Sequence, residues 1–146
     1  MREIKFRARY KQGAIPVLGQ VLIKEGTWVY GDLHTRKVTP CIYDDNAHVY
    51  PVDPDTIGQY TGIKDEDGKE IYEGDIICYI EEYDMENTHK YVGEVVFEEG
   101  VFWVRSKKQP YAMLRMLAFD LPTSTFQVIG NVYENRNLLE QKRYDK

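Results

Sequence analysis

Apolar and polar residues alternate from the second residue onward in REIKFRARY. A period of two marks a strand with one buried face. Ile4, Phe6 and Ala8 fall on the face expected to be buried, with Arg7 and Arg9 opposite. QVLIKEGTWVYG carries two short apolar runs around Lys24-Glu25-Gly26 and predicts a hairpin with glycine at its turn. KVTPCIYDDNAHVYPVD predicts further short strands, turned at Asp44-Asp45-Asn46. PVDPDTIGQYTG reads as a stiff connector, because Pro51 and Pro54 have no N–H to give to a ladder.

From Glu70 the pattern is cleaner. KEIYEGDIICYI predicts a strand region leading into the acidic loop EEYDMENTHK. YVGEVVFEEGVFWVRS predicts a hairpin turned at Glu98-Glu99-Gly100, with Val92, Val96, Phe102 and Val104 as the candidate buried set. A one-residue slip would send that set to the other face. YAMLRMLAF, residues 111–119, suits one or two helical turns or, equally, a covering segment with its aromatic ends packed inward. TSTFQVIGNVYEN predicts a last strand ending near Asn131, and RNLLEQKRY a short terminal helix docked by Leu138 and Leu139. No helical pattern of about 10–15 residues recurs between strands, which argues against a parallel βαβ fold. The expected fold is mainly β within one domain, 1–146. It divides into a strand-rich N-terminal lobe over 1–57 and a small SH3-like, barrel-like part over 58–146, with a short terminal helix.

Composition fits this picture. Twelve Tyr, five Phe and two Trp in 146 residues exclude a disordered chain and favour sheet. The net charge of -5 gives no long-range pull toward nucleic acid or an anionic membrane, but leaves room for a local basic patch. No apolar run reaches the roughly 18 residues of a membrane span. The opening residues have no apolar core of a secretory signal. Cys41 and Cys78 form no C-x-x-C pair and read as free thiols in a reducing cytoplasm, Cys78 as a small core residue.

Candidate chemistry centres on GQYTGIKDEDGKEIYEGDII, residues 58–77. A calcium loop with Gly68 at its sixth position would place Ile63 first and Gly74 last, and neither side chain can ligate. A phosphate loop fails as well, because Gly68-Lys69 runs into Glu70 and Ile71. Asp67-Gly68 is instead a strong hairpin signal, with Asp65 placed to accept backbone N–H groups. Glu73-Gly74-Asp75 marks a second tight turn. Glu70, Glu73 and Asp75, with Tyr72, form a carboxylate group that acid–base work would require to share a desolvated site. His34, Cys41 and His48 are spaced by seven, and Cys78 or His89 would be needed to complete a zinc set. Ser106 and Ser124 have no base beside them in sequence. Trp103, Arg105, Lys107, Lys108 and Arg115 make a basic and aromatic patch of the kind that contacts phosphates and stacks on bases. In the acidic loop, Tyr83 and Met85 are the candidate anchors for a protein partner.

The 58–77 segment resembles the signature of the YopX-like family of phage and prophage proteins. The matching positions are Gly58, Gln59, Tyr60, Thr61 and Gly62, then Asp65, Gly68, Ile71, Tyr72, Glu73, Gly74 and Asp75. REIKFRARY and FQVIGNVYEN resemble the family's beginning and end, the latter through Val128, Ile129, Gly130, Asn131, Tyr133, Glu134 and Asn135. Family members often carry Trp where this chain has Arg9 or Tyr10. The resemblance implies a small, mainly β protein at work in a bacterial host cell. It brings no reaction, catalytic residue, cofactor or metal to this sequence. The expected function is that of a non-enzymatic accessory protein, acting by contact with a protein partner or with itself and without a membrane. Weak nucleic-acid binding through the basic patch is the alternative.

Overall fold

A computed structural model describes residues 2–12, 22–35, 39–82, 88–107, 111–119 and 123–140. The chain forms two compact units, Met1–Gly62 and Ile63–Lys146.

In the first unit, β1 (Phe6–Arg9) lies between β2 (Trp28–His34) and the start of β5 (Gly58–Lys64), antiparallel to both. β3 (Cys41–Tyr43) and β4 (Val49–Pro51) continue the sheet beyond β2, in the order β4-β3-β2-β1-β5. The chain after β4 returns to the end of β1 through a single bridge, Tyr10 to Val52. Hydrogen bonds flank that bridge, from Lys11 N–H to the Pro51 carbonyl at 3.0 Å and from Asp53 N–H to the Arg9 carbonyl at 2.9 Å. Ala8, Val29, Ile42 and Val52, drawn from four successive stretches of chain, form the core. Gly31 is required by close approach: a Cβ there would sit 2.0 Å from the Tyr43 carbonyl oxygen.

The opening strand departs from its predicted faces. Ala8 is buried, but Ile4 is exposed and lies before the strand, whereas Arg7 is buried. Arg7 lies on a strand with neighbours on both sides, and its guanidinium stacks over Trp28 at 4.6 Å. Its aliphatic stem can be covered there while the charge keeps a favourable ring face. The turn at Lys24–Thr27 forms with Gly26 at φ 83°, but Leu22–Lys24 are not a strand. The partner of β2 is the first strand, with Tyr10 N–H donating to the Thr27 carbonyl at 2.8 Å. The proline-bearing connector contains a 3-10 turn at Pro54–Thr56, capped by Asp53, and then enters β5.

β5 carries the chain into the second unit, where β6 (Glu70–Tyr72) is its next neighbour. There follow β7 (Asp75–Glu82), β8 (Thr88–Glu98), β9 (Val101–Ser106), β10 (Ala112–Met113), α1 (Leu114–Phe119) and β11 (Thr123–Asn131). A 3-10 helix at Arg136–Glu140 follows, with Leu138 and Leu139 half-buried. The second sheet is antiparallel, in the order β10-β9-β8-β7-β11. Ile71, Ile77, Tyr79, Val95, Val104, Leu114, Leu117 and Phe126 build its core. Leu114 and Leu117 are three apart on α1, so one short helical face closes over the sheet.

Two expectations are corrected here. Val95, not Val92 or Val96, faces the core with Val104, and Phe102 packs against it as expected. The two-residue turn at Glu99-Gly100 pairs Val96 with Trp103, so Val96 and Val104 necessarily lie on opposite faces. The barrel expected for 58–146 does not form either. β10 and β11 are the edges of an open sheet, and no pairing among the described residues joins them. β10 has only two residues before α1 turns the chain over the sheet, while β11 pairs with β7.

Candidate functional site

The turn between β5 and β6 is organised by one carboxylate. Asp65, 8% exposed, accepts from Asp67 N–H at 2.9 Å and Lys69 N–H at 2.8 Å through Oδ1. Its Oδ2 accepts from Val128 N–H on β11 at 3.0 Å. Gly68 supplies the φ of 81° that the turn needs. Glu66 N–H donates to the Phe126 carbonyl at 3.0 Å, and the Gln127 side-chain amide donates to Asp67 Oδ2 at 3.0 Å. Phe126 and Val128 are two apart, so their bonded groups point to the same edge of β11. The acidic turn therefore covers an edge strand that would otherwise present unpaired N–H and C=O groups.

The second turn meets the other end of β11. Asp75, 1% exposed, closes Tyr72–Asp75 by accepting from Tyr72 N–H at 2.8 Å. Gly74, at φ 86°, donates to the Val95 carbonyl at 2.9 Å and accepts from Val132 N–H at 2.8 Å. Asn131 folds the next residues back, its Oδ1 accepting from Tyr133 and Glu134 N–H at 3.0 Å each. Asn135 Oδ1 accepts from Asn131 N–H at 3.2 Å, and a Cβ on Gly130 would approach that oxygen to 2.5 Å. In the first unit, Gly58 and Gln59 pair with Arg7 and Phe6. Tyr60 N–H donates to the Lys5 carbonyl at 2.9 Å, and the Lys5 ammonium lies 5.1 Å from the Tyr60 ring centre. Gly62 takes φ 81°. The signature residues from Asp65 to Asp75 and from Gly130 to Asn135 thus meet on one strand, where they organise backbone. Gln127 lies within FQVIGNVYEN, but nothing in the sequence paired it with Asp67.

The carboxylates proposed for acid–base work are tied into the same turns. Glu70 accepts from the Tyr72 hydroxyl at 3.3 Å, and Asp75 holds the Tyr72 backbone. His34 and Cys41 face each other across β2 and β3, but Cys41 is buried and His34 lies against Tyr43, with ring centres 4.3 Å apart. His48 instead meets Asp44 at 3.1 Å. Among the described residues, no group of three or more His, Cys, Asp and Glu is placed to hold a metal ion. Burial pushes the Asp44 carboxyl up, but bonds from His48 N–H, the Tyr50 hydroxyl, the His48 ring and Asn46 N–H outweigh it and lower its pKa. Burial raises the Tyr50 hydroxyl, helped by its bond to Asp44. Burial also raises the Cys78 thiol, against the pull of Lys90 and with the help of Glu66.

Trp103 and Arg105, two apart on β9, both lie against Tyr111. The Trp103 indole donates to the Glu98 carbonyl at 3.0 Å and stands edge-on to Tyr111. Arg105 reaches Glu94 at 3.3 Å and Glu98 at 3.5 Å. A hydrogen bond to Tyr111, more than the charge of Glu94, raises its pKa. Lys107 is exposed after β9, and Arg115 is exposed on α1. Lys108, Tyr83 and Met85 lie outside the described residues. Ser106 ends β9, and Ser124 lies in β11. At the hairpin tip Phe102, from the candidate buried set, packs against the core, while its neighbour Phe97 was not singled out in the sequence. Phe97 is 50% exposed, and its ring lies 4.9 Å from that of Phe102 across β8 and β9.

A comparison with curated proteins finds no match. A family model described as YopX protein matches residues 16–140, which takes in β2 through β11 and leaves REIKFRARY outside. Its span contains both groups of signature residues that converge on β11, and the chain belongs to the YopX family.

Proposed function

We propose that this chain is a non-enzymatic accessory protein of a phage or prophage, at work in the bacterial cytoplasm, that binds another protein or a second copy of itself. The observation that carries this reading is the Phe97–Phe102 pair. Its rings touch at a hairpin tip, with Phe97 half in solvent. Exposed aromatic side chains on an ordered strand are the usual anchors of protein contacts. The signature carboxylates support the same reading, because Asp65 and Asp75 bind backbone N–H groups. The reading takes the whole chain as one family domain and requires no cofactor or metal. Among the described residues, no helix is long and apolar enough to cross a membrane.

Nucleic-acid binding is less favoured, because Arg105 already reaches two glutamates and Tyr111. A phosphate would have to displace those partners. A photo-cross-linking residue at position 97, combined with light scattering, tests the proposal. A protein adduct or a self-adduct at that position, lost on competition with unlabelled protein, is the expected result. A chain that stays monomeric without an adduct, yet shifts DNA or RNA in a gel at low salt, would replace this reading with the other.

A further inference from the structure

We infer that the part of β8 that runs on past β9, Thr88–Val92, takes up an extended segment of a partner protein as an added antiparallel strand, with an acidic residue of that segment opposite Lys90. The inference rests on the proposed interaction role but uses a surface separate from Phe97. β8 spans Thr88–Glu98, whereas β9 spans only Val101–Ser106. Their pairing runs from Glu98 with Val101 to Gly93 with Ser106, and the chain then bends at Lys107. On the other side, β7 stays paired with β8 as far as Glu82 and Thr88. Among the described residues, no strand lies on the β9 side of Thr88–Val92.

The direction of the backbone groups follows from one hydrogen bond. The Val95 carbonyl accepts from Gly74 N–H, so the polar groups of Val95 face β7. In an antiparallel strand successive residues turn these groups to opposite neighbours. Gly93, Tyr91 and His89 therefore face β7, in an unbroken register. Glu94, Val92, Lys90 and Thr88 face the β9 side, where Glu94 meets Arg105. Past that pair, Lys90 and Thr88 direct their N–H and C=O groups into solvent at strand spacing, and both residues are exposed. Such a row is what an added strand pairs with.

The side chains choose the occupant. Every strand pair in this sheet is antiparallel, and the added strand keeps that sense. Its residue opposite Lys90 shares the face of Lys90, and the two flanking residues lie on the other face, beside His89 and Tyr91. Tyr91 is half-buried and stacked on Tyr79, with ring centres 5.1 Å apart, and offers an aromatic cross-strand contact. Lys90 is exposed, and no described carboxylate forms an ion pair with it. On the same face, Glu82 stands opposite Thr88 and Glu94 is taken by Arg105. An acid opposite Lys90 therefore gains a cross-strand ion pair. A second copy fits less well. A two-fold axis through Lys90 sets ammonium against ammonium, and one through His89 sets Lys90 against Thr88.

Backbone amide exchange in the full chain tests this with the capped peptide Val-Phe-Glu-Val-Thr. In the free protein the Thr88 and Lys90 amides are expected to exchange fast and that of Tyr91 slowly. The peptide should slow exchange at Thr88 and Lys90. With Lys in place of its Glu it should bind about fivefold more weakly at low salt, and Lys90→Glu should reverse that preference. N-methylation of the peptide's Glu, whose N–H points at β8, should abolish binding. N-methylation of the Val after it, whose N–H points away, should not. Lys90→Pro should abolish binding with the fold intact, because the N–H it removes faces solvent. Equal binding of the two N-methylated peptides, or no slowing at Thr88 and Lys90 with peptide in excess, would overturn strand addition here, while an adduct at position 97 would still uphold the interaction role. Slowing that appears without peptide as the protein concentration rises, together with a dimer mass, would replace the acidic partner with a second copy.

Discussion

The turns at Asp65–Lys69 and Glu98–Gly100 each join antiparallel strands, and each places a glycine at positive φ. Both are acidic. At the first, Asp65 is buried and holds three backbone N–H groups, one of them on β11. At the second, Glu99 stands in solvent and Glu98 turns toward Arg105. The first turn lies against an edge strand, which supplies donors for its carboxylates. The second closes a hairpin between two neighbours already paired, so its side chains have little backbone left to serve. A carboxylate in a tight turn is thus a folding device or a surface feature according to what its strand packs beside.

Asp65→Ala is the strongest way to break this contrast. It leaves three N–H groups without their acceptor, and a loss of about 3 kcal/mol is expected in urea unfolding. A loss below about 0.5 kcal/mol would make the first turn as dispensable as the second. Gly130→Ala should cost about 2 kcal/mol by forcing a Cβ toward Asn135. If that contact is the cause, the cost should shrink in an Asn135→Ala background, as a double-mutant cycle would read.

Asp44 offers a pH-dependent version of the comparison. Its folded pKa lies below the ordinary value of 3.8. The carboxylate therefore contributes stability that is complete above 3.8 and lost as pH falls from there through the folded value. Asp44→Asn should flatten that part of the acid-unfolding profile relative to the wild type, while a profile unchanged in shape would remove Asp44 as a contributor. The smallest effect belongs to the second acidic turn. Glu99→Gly should stabilise the protein by about 0.5 kcal/mol, because a non-glycine residue at φ 53° carries a backbone cost that glycine lacks. A clear destabilisation would show that the Glu99 side chain, like Asp65, holds structure.

Much of the local structure was legible. Asp67-Gly68, Glu73-Gly74 and Glu99-Gly100 lie at turns because glycine there reaches φ angles that other residues disfavour. The helical stretch at Leu114–Phe119, the last strand to Asn131 and the short helix at Arg136–Glu140 follow from local pattern as well. The candidate site was legible only in its residues. Asp65 could be read as a turn former, but its third bond goes to Val128, sixty-three positions away. Phe102 packs against the core as read, but a strand pattern does not say where the covering layer stops, and Phe97 beside it is left exposed.

By itself the sequence determined the β character, the turns and the family, because alternation, glycine placement and marker residues act over short distances. Tertiary structure alone decided which strands became neighbours. It turned Arg7 inward beside Trp28, left the second sheet open and set Val95 against Val104. It also brought two distant signature segments onto β11 and left an aromatic pair at the end of a hairpin. Each of these outcomes depends on pairing between residues far apart in the chain, and pairing decides which polar groups are already satisfied and which face solvent.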